Sequence, residues 1–527
     1  MSHNGSEIIL SLAFNYHDSN CAISLGAKIL GVLEVERLFR SKRISVNISQ
    51  MELASSYLLS QHGFTINNVD YLVVNALKNP FETSEEREDI RYTIYKFLGK
   101  KLPAMVVRHH LAHAGHYFFS TLEKALIASC DGGGDLGERV AYFIGDGLSL
   151  KRVEIDSKCH TSTKPYGQAS AFLYDEPFAE GKLMALAAYG KKDSEIQCRF
   201  KNLILKLKDV PYRTGQSLLC EYFPQFQSAV KSDLHLASQF AFAVQSNFIE
   251  KRLEDILSIF DSYVHQALVI VGGAALNLEL NSRIWQTVSK NIFIPPNPDD
   301  TGVALGQLAV AIVKKFNSRP VIDFPYIGVA ESEQSAEKYL LSNVDKNSIE
   351  VEPQKAARRI MNGEICLSHY SRPEVGPRAL GHRSFLTSCN SNMTKRISVD
   401  IKRREPCRPV APIVLENEAK KYFTDGPDNS PYMLFSYKAL RNTLLDEVKG
   451  IVHIDETARL QTVNEQQDVH LSQILAEVGK ISGFGMLANT SLNFKGYPNS
   501  HFMSDTVDML RKINYPAFVY YPSLENI

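Results

Sequence analysis

The stretch His109-His110-Leu111-Ala112-His113-Ala114, followed by Leu126-Ile127-Ala128-Ser129-Cys130-Asp131-Gly132-Gly133-Gly134-Asp135, says more about this 527-residue chain than any other. In a helix, His109 and His113 lie one turn apart on one face. Two imidazoles so placed can share one metal ion. An isolated pair of this kind is about as often an ordinary pair of helix histidines. The second segment shifts that balance, because an apolar strand runs into the carboxylate of Asp131 and a glycine loop. Farther on, Pro295-Pro296-Asn297-Pro298-Asp299-Asp300-Thr301-Gly302 sets another carboxylate ahead of a helical run. Two histidines and two aspartates, each at the end of an element, point to one metal site built from His109, His113, Asp131 and Asp300.

The flanking segments supply the frame. Residues 8–14, 21–25 and 28–34 read as a meander of strands whose first turn, Asn15-Tyr16-His17-Asp18-Ser19-Asn20, is polar. A helix is expected over 51–62, a buried strand over 69–75, and a short strand over 105–108 leading into the histidine-rich helix. A second sheet opens at 125–129 with 140–145 as its partner. Residues 236–259 have a helical period, and 267–271 form a strand ending in the turn Gly272-Gly273-Ala274-Ala275-Leu276-Asn277. The order of strand, turn, strands and helix therefore occurs twice. Such duplication suggests the actin-like ATPase architecture, in which glycine turns offer backbone N–H groups to phosphates. Two unrelated α/β units are the alternative. Periodicity fades over 317–333, where Pro320 and Pro325 fit a linker or crossing segment. A new α/β unit starts at 349, with a helix over 356–363 and a strand over 365–369, so the domain boundary is expected near 345.

Bulk properties set outer limits. The length exceeds what one core supports, so two or three domains are expected. Lys+Arg and Asp+Glu both number 58, which gives no call for nucleic acid or a membrane surface. Eight scattered cysteines without a CxxC pair disfavour zinc ribbons and disulfide frameworks, and free thiols in a reducing cytoplasm are the simpler account. The N-terminus is polar and lacks a basic signal region, and no run of eighteen apolar residues occurs.

The C-terminal unit is rich in cations set in loops. Ser371-Arg372-Pro373-Glu374-Val375-Gly376-Pro377-Arg378-Ala379-Leu380-Gly381-His382-Arg383-Ser384 packs three arginines and a glutamate into one loop. Lys402-Arg403-Arg404-Glu405-Pro406-Cys407-Arg408-Pro409 reads as a strand-like basic run. Arg459 follows in Thr457-Ala458-Arg459, and Asn489-Thr490-Ser491-Leu492-Asn493 forms a polar turn after a strand over 485–488. Arginine suits phosphate because its planar fork donates paired hydrogen bonds. Several converging would hold a polyanion such as ATP beside a small phosphorylated co-substrate. A single run of this kind is more often a solvated basic face. Interruption by Gly, Pro and Asn favours a cradle. In the N-terminal unit, His17 beside Asp18 is either a general base or a turn-stabilising histidine. Phe178-Ala179-Glu180-Gly181-Lys182 opens a helix that reads as a buried element ending at Gly190.

Together these segments resemble the NodU/CmcH family of O-carbamoyltransferases, whose tobramycin member is the best mechanistic guide. The resemblance runs nearly end to end. It rests on His17-Asp18-Ser19, Glu36-Arg37 with Lys42, the box from His109 to Ala114, Asp131-Gly132, Glu180-Gly181-Lys182 with Tyr189-Gly190, Gly272-Gly273-Ala274 with Asn277, and Asp300 before Gly302. It continues through Glu374 to Gly381, Lys402 with Arg404-Glu405, Arg408-Pro409, Thr457-Ala458-Arg459 with Gln461, and Asn489-Thr490-Ser491 with Asn493.

The resemblance implies an α/β protein with a duplicated actin-like (ASKHA) domain over 1–340 and a YrdC-like α/β domain over 345–527. It implies that the second domain makes carbamoyl adenylate from ATP and carbamoyl phosphate with release of pyrophosphate. The first would then move the carbamoyl group to a hydroxyl of a small-molecule acceptor: a natural product, a sugar or a nucleoside. His109, His113, Asp131 and Asp300 would hold iron or another transition metal, and Mg²⁺ would accompany ATP. Gly272, Gly273 and Asn277 would line the nucleotide. His17 and Lys42 would sit at the transfer centre. Lys402 and Arg404, with Arg372, Arg378, Arg408, Arg459, Asn489, Ser491 and Asn493, would bind ATP and carbamoyl phosphate. A cytoplasmic enzyme, with homodimerisation allowed and nucleic acid not expected, completes that picture.

The chain also departs from the family pattern. It is several tens of residues shorter than is usual. Ser371 precedes Arg372 in place of Gly, Glu456 interrupts an Asp-Gly-Thr, and Tyr497-Pro498-Asn499 replaces Glu-Pro-Ile. Gln239 stands where a carboxylate usually precedes Gln245 on the long helix, with Asp233 the nearest substitute. These changes suggest an unusual acceptor. Two other readings remain: a threonylcarbamoyl-type tRNA modification enzyme, and an actin-like ATP-binding regulator without catalysis.

Overall fold

The first strands are apolar over their whole length because both faces of their sheet are covered. In β1 (Ile8–Ala13) all six residues are buried, the pattern of a strand with packed layers on either side. It pairs antiparallel with β2 (Asn20–Leu25), which pairs antiparallel with β3 (Lys28–Glu34). On its other edge β1 runs parallel to β4 (Val69–Asn75). After β5 (Ile90–Phe97), β6 (Lys100–Val107) lies parallel to β4 and antiparallel to β5, giving the order β3-β2-β1-β4-β6-β5.

The second sheet repeats this plan. Strands β7 (Lys124–Cys130), β8 (Val140–Asp146) and β9 (Ser149–Val153) form an antiparallel meander. Then β10 (Ala267–Val271) runs parallel to β7, and β11 (Asn291–Phe293) parallel to β10. The order β11-β10-β7-β8-β9 is the same arrangement read from the other edge. The computed structural model describes residues 6–81, 88–155, 160–208, 210–261 and 267–524. The polar extreme N-terminus, 1–5, lies outside them.

The helices Val303–Phe316 and His109–Ala114 pack in the core shared by the two sheets. The first is buried on every face from Val303 to Val313, as its all-round apolar sequence requires. Its one buried amide, Gln307, donates from Nε2 to Ser11 Oγ and the Leu12 carbonyl, each at 2.9 Å. Every residue of His109–Ala114 is buried, including all three histidines. Burying imidazoles without partners is costly, so their presence in this layer marks a site rather than a packing choice.

A third sheet follows. It comprises β12 (Ile349–Glu350), β13 (Ile365–His369), β14 (Arg383–Thr387), β15 (Ala411–Leu415), β19 (Gln461–Val463), β20 (Met486–Ser491) and β21 (Ala517–Tyr520), in the order β12-β21-β13-β14-β20-β15-β19. A small sheet of β16 (Phe423–Thr424), β17 (Tyr437–Ala439) and β18 (Thr457–Ala458) lies beside it. The protein is thus a mixed α/β fold. Among the described residues no helix is long and apolar enough to cross a membrane.

One local expectation is corrected and two are made definite. The basic run at 402–409 is not a strand. The chain makes a wide, π-type helical turn over Arg396–Ile401 and leaves it at Lys402, with Arg403 in the left-handed region at φ 49°. Of the two readings of the segment after Asn317, the linker does not hold and the crossing segment does. It lies against the edge of β3 through Ile29 N–H to Val321 O (2.9 Å) and Val329 N–H to Val32 O (2.9 Å), and so covers an otherwise open strand edge. Asp233 caps the long helix Leu234–Phe260, accepting from Leu236 N–H at 2.9 Å.

One contact ties the third sheet's loops to the first two sheets. Gly376 donates its N–H to Glu34 Oε1 at 2.5 Å and accepts from Arg37 Nη2 at 3.2 Å, while Arg37 Nε binds Glu34 Oε2 at 2.8 Å. Gly376 has φ 94°, and a Cβ there would lie 2.2 Å from the Pro296 carbonyl oxygen. Both the backbone conformation and the space demand glycine. Gly376→Ala is expected to lower stability by about 1–3 kcal/mol or more. The urea midpoint followed by fluorescence of the single tryptophan, Trp285, would fall, and an unchanged midpoint would refute the role of this contact.

Candidate functional site

The metal-type cluster assembles from four element ends. His109 starts its helix with its N–H capped by Asp135 Oδ2 at 2.5 Å, which directs its ring and that of His113 one turn on. Asp131 stands just beyond β7. Asp300 opens the short turn Asp300–Gly302 ahead of the core helix. The polar first turn of the chain fixes that end, because Asn15 and Asn20 both donate to the Asp300 carbonyl, at 3.2 and 2.7 Å.

The side chains converge closely. His109 Nε2 and His113 Nε2 are 3.1 Å apart. His113 Nε2 lies 3.3 Å from Asp131 Oδ2 and 3.5 Å from Asp300 Oδ1. His109 Nε2 lies 3.6 Å from Asp300 Oδ1 and 3.9 Å from Asp131 Oδ2. All four ligand atoms fall within 4.8 Å of one another. Asp300 Oδ1 is buried with no hydrogen-bond partner among the described residues. Burial drives His109 down to about 3, against the pull of Asp300. The same burial acts on His113, but the adjacent Asp131 and Asp300 carboxylates overcome it and hold that ring up at about 9. A set of two imidazoles and two carboxylates fits a divalent first-row metal.

His17 stands at the rim of this cluster, with Nδ1 2.8 Å from Asp18 Oδ2 and 3.9 Å from Asp300 Oδ2. Burial opposes its charge, but Asp18 and Asp300 outweigh that and raise it to about 9. Gly273 N–H donates to Asp131 Oδ2 at 3.0 Å, so the glycine turn Gly272-Gly273 touches a ligand of the cluster. Asn277 caps the next helix through Leu280 N–H at 3.1 Å and exchanges amide hydrogen bonds with Gln245 at 3.0 and 3.1 Å.

The second constellation is cationic. Arg378, Arg404, Arg408 and Arg459 line one recess, half-buried, and Lys42 reaches it from the first sheet's side. Recession from water, then mutual repulsion, lowers each perturbed member. Arg404 falls to about 9, chiefly through burial and then Arg408, and Arg378 to about 10. Lys42 is lowered by burial and by Arg43, Arg404 and Arg408, although Glu36 opposes this. Arg378 Nε and Arg459 Nε have no hydrogen-bond partner among the described residues. Glu405 is the acid inside the group, and it also pairs with Lys182 at 2.7 Å.

Lys402 lies beneath this recess. Its ammonium donates to Asn493 O at 2.7 Å and Asn493 Oδ1 at 2.6 Å, and also to Ser491 Oγ and O. It therefore shapes the Ser491–Asn493 turn, which Arg404 also approaches through Ser491 Oγ at 3.5 Å. Asn489 faces inward, donating to the Ala379 carbonyl at 3.0 Å and to Gln461 at 2.8 Å. Arg372 is not brought into the group. Its guanidinium donates to the carbonyls of Leu30 (2.7 Å), Ile327 (2.5 Å) and Gly328 (3.1 Å), which locks the crossing segment onto β3.

The two constellations adjoin through the loop at 295–300. Asp299 is raised to about 6, first by burial and then by Asp18, and it also faces Asp300, Asp131 and Arg378. Neither Asp299 nor the Glu34–Arg37 clamp stood out in the sequence, because each sits beside a more conspicuous residue. Glu180, which the sequence places at the start of a buried helix and in a segment that carries the family resemblance, has no chemical role assigned by either reading. It is half-buried and faces His17, Arg43 and Asp131. His113→Ala is expected to reduce bound transition metal at least about tenfold in elemental analysis of the purified protein. Undiminished metal content would refute the ligand set.

Two family models match the chain: Carbamoyltransferase N-terminus over residues 88–309 and Carbamoyltransferase C-terminus over residues 357–523. Nodulation protein U of Sinorhizobium fredii is 31% identical over 353 residues, which are 63% of this chain and 61% of that protein. Nodulation protein NolNO of the same species is 26% identical over 533 residues, 93% of this chain and 76% of that protein. Among solved structures, component A of the Acidaminococcus fermentans (R)-2-hydroxyglutaryl-CoA dehydratase aligns with 59% of this chain and 100% of its own at 13% identity, with a TM-score of 0.37. With both halves of the family pattern matched in order, the protein belongs to the carbamoyltransferase family and is a transferase.

Proposed function

We propose that the protein is an ATP-dependent O-carbamoyltransferase with two reaction centres meeting at one cleft. Residues 1–340 would be an actin-like domain and 345–527 a YrdC-like domain, in keeping with the repeated strand order of the first two sheets and the separate third sheet. The observation that carries the reading is the convergence of Arg378, Arg404, Arg408, Arg459 and Lys42, five cations against the nearby acids Glu405, Asp299 and Glu36. Like charges held together in a recess are unfavourable until an anion enters. ATP and carbamoyl phosphate are anions of the right charge.

In the first half-reaction water breaks the bond between the carbamoyl oxygen and phosphorus of carbamoyl phosphate, giving carbamate and inorganic phosphate. A carbamate oxygen then bonds to the α-phosphorus of ATP as the α–β phosphoanhydride bond breaks, giving carbamoyl adenylate and pyrophosphate. The arginines neutralise the triphosphate with Mg²⁺ and hold it in line, so little charge must be moved in the transition state. Lys402 positions Ser491 and Asn493 against the same recess. Gly272, Gly273 and Asn277 would take the adenylate on the other side, with His17 and Lys42 flanking its carbamoyl group.

His109, His113, Asp131 and Asp300 would hold the metal, iron by family resemblance, and a Lewis acid there would stabilise negative charge on the departing AMP phosphate. The acceptor is a small molecule bearing a hydroxyl group.

The test is release of pyrophosphate from ATP and Mg²⁺ with and without carbamoyl phosphate. Release is expected to require carbamoyl phosphate and to drop at least about 100-fold in Arg404→Ala. Release that is indifferent to carbamoyl phosphate would overturn the proposal.

A further inference from the structure

Transfer to an alcohol needs a group to take its proton, and several acids near the metal cluster are already engaged. His17 Nδ1 is bound to Asp18 beside the metal cluster. Asp131 and Asp300 belong to that cluster, and Asp233 caps a helix. One carboxylate nearby is left over. Glu180 is the first residue of the helix Glu180–Ala187. Among the described residues it has no ion-pair partner, although Arg43, His17 and Asp131 face it.

Its surroundings hold it in place and leave a way in. On the inner side Gly167 makes room, since a Cβ there would come within 3.1 Å of Glu180 Oε1. Tyr166 and Tyr212 face the carboxylate from two other helices. Two residues earlier, Phe178 lies edge-on to His17, with ring centroids 5.1 Å apart. The Arg43 guanidinium sits 4.2 Å over the Phe178 ring. Phe178 is 43% exposed and has φ 60°, a left-handed conformation that is costly for a bulky residue and persists where the surroundings impose it. Phe178 and Tyr212 are open to solvent, while Asp131 lies farther in and His17 is half-buried. Glu180 thus stands between the outer aromatic rim and the inner cluster. Burial raises its carboxyl above the usual range, with Arg43 and His17 pulling against this, which makes it a stronger base than an exposed glutamate.

We propose that Glu180 is the catalytic base of the transfer step and accepts the proton of the acceptor hydroxyl at its carboxylate. The proposal rests on the function proposed above. As the acceptor oxygen bonds to the carbamoyl carbon, its O–H bond breaks toward Glu180. The bond from that carbon to the AMP oxygen breaks, and AMP leaves with the electron pair. The products are the carbamate ester, AMP and protonated Glu180, which returns its proton to water. The same placement makes Phe178 and Tyr212 the walls past which the acceptor enters.

The test is a competition between two probe acceptors, glycerol and hydroxylamine, in the presence of ATP, Mg²⁺ and carbamoyl phosphate. Hydroxylamine attacks through a nitrogen lone pair and needs no base to become nucleophilic; glycerol does. Hydroxyurea that requires both ATP and carbamoyl phosphate reports the adenylate chemistry and the folded state. In Glu180→Gln the ratio of glyceryl carbamate to hydroxyurea is expected to fall about 100-fold from the wild-type ratio. Glu180→Asp, which keeps the charge at shorter reach, is expected to recover part of it. An unchanged ratio in Glu180→Gln, or equal loss of both products, would overturn the assignment.

Discussion

The fold is organised around a repulsion. Arg378, Arg404, Arg408 and Arg459 share a recess with Lys42, and each perturbed member of the group is less willing to carry its charge than in water. Two like charges about 4 Å apart repel by about 4 kcal/mol at the effective dielectric of a protein surface. A chain keeps such a group only if something of opposite sign offsets it. Glu405 offsets part and is itself shared with Lys182. The remainder is available to a ligand, so binding energy is stored in the free protein as unfavourable proximity.

Holding that proximity requires a stiff junction, and the contacts across it are of several kinds. The Glu34–Arg37 pair grips the backbone of Gly376, two residues before Arg378. Burial pushes Glu34 up to about 7 despite Arg37, so the clamp sits in a poorly hydrated place. Asn281 donates to the Leu434 carbonyl at 2.8 Å, and Ser282 exchanges hydrogen bonds with Ser436 at 2.9 Å each way. One apolar cluster runs from Leu126 and Ile270 through Ile284 to Val410 and Leu434. The loop at 295–300 carries Asp300 into the metal-type cluster and packs its Pro296 against Gly376. The arginine recess and the histidine cluster are thus built on a single loop, which keeps the two groups close.

How far the sequence could be read depended on whether a feature is local. The repeated meander, the all-round apolar helix from Val303 and the pairing of His109 with His113 are written in period and spacing, and they could be located from these alone. The meeting of Asp131 with Asp300 needed only that both end buried elements. What escaped reading depends on distant partners. Arg372 looked like its neighbours Arg378 and Arg383, but three carbonyls from β3 and the crossing segment claim it. The run from Lys402 alternates like a strand, yet the left-handed Arg403 turns it into a tight corner. Lys402 resembles a ligand of phosphate, but its protons go to Ser491 and Asn493. Glu180 lies in a quoted motif, but nothing local gives it a role, because the packing of three helices and the first turn around it defines its surroundings.

The central claim is that the arginine recess is where the triphosphate lies. A crystal structure with α,β-methylene-ATP, Mg²⁺ and carbamoyl phosphate tests it most directly. The account requires triphosphate oxygens within hydrogen-bond distance of Arg404, Arg408 and Arg459. A triphosphate bound elsewhere on the chain, with those guanidinium groups left to protein and solvent, would contradict it.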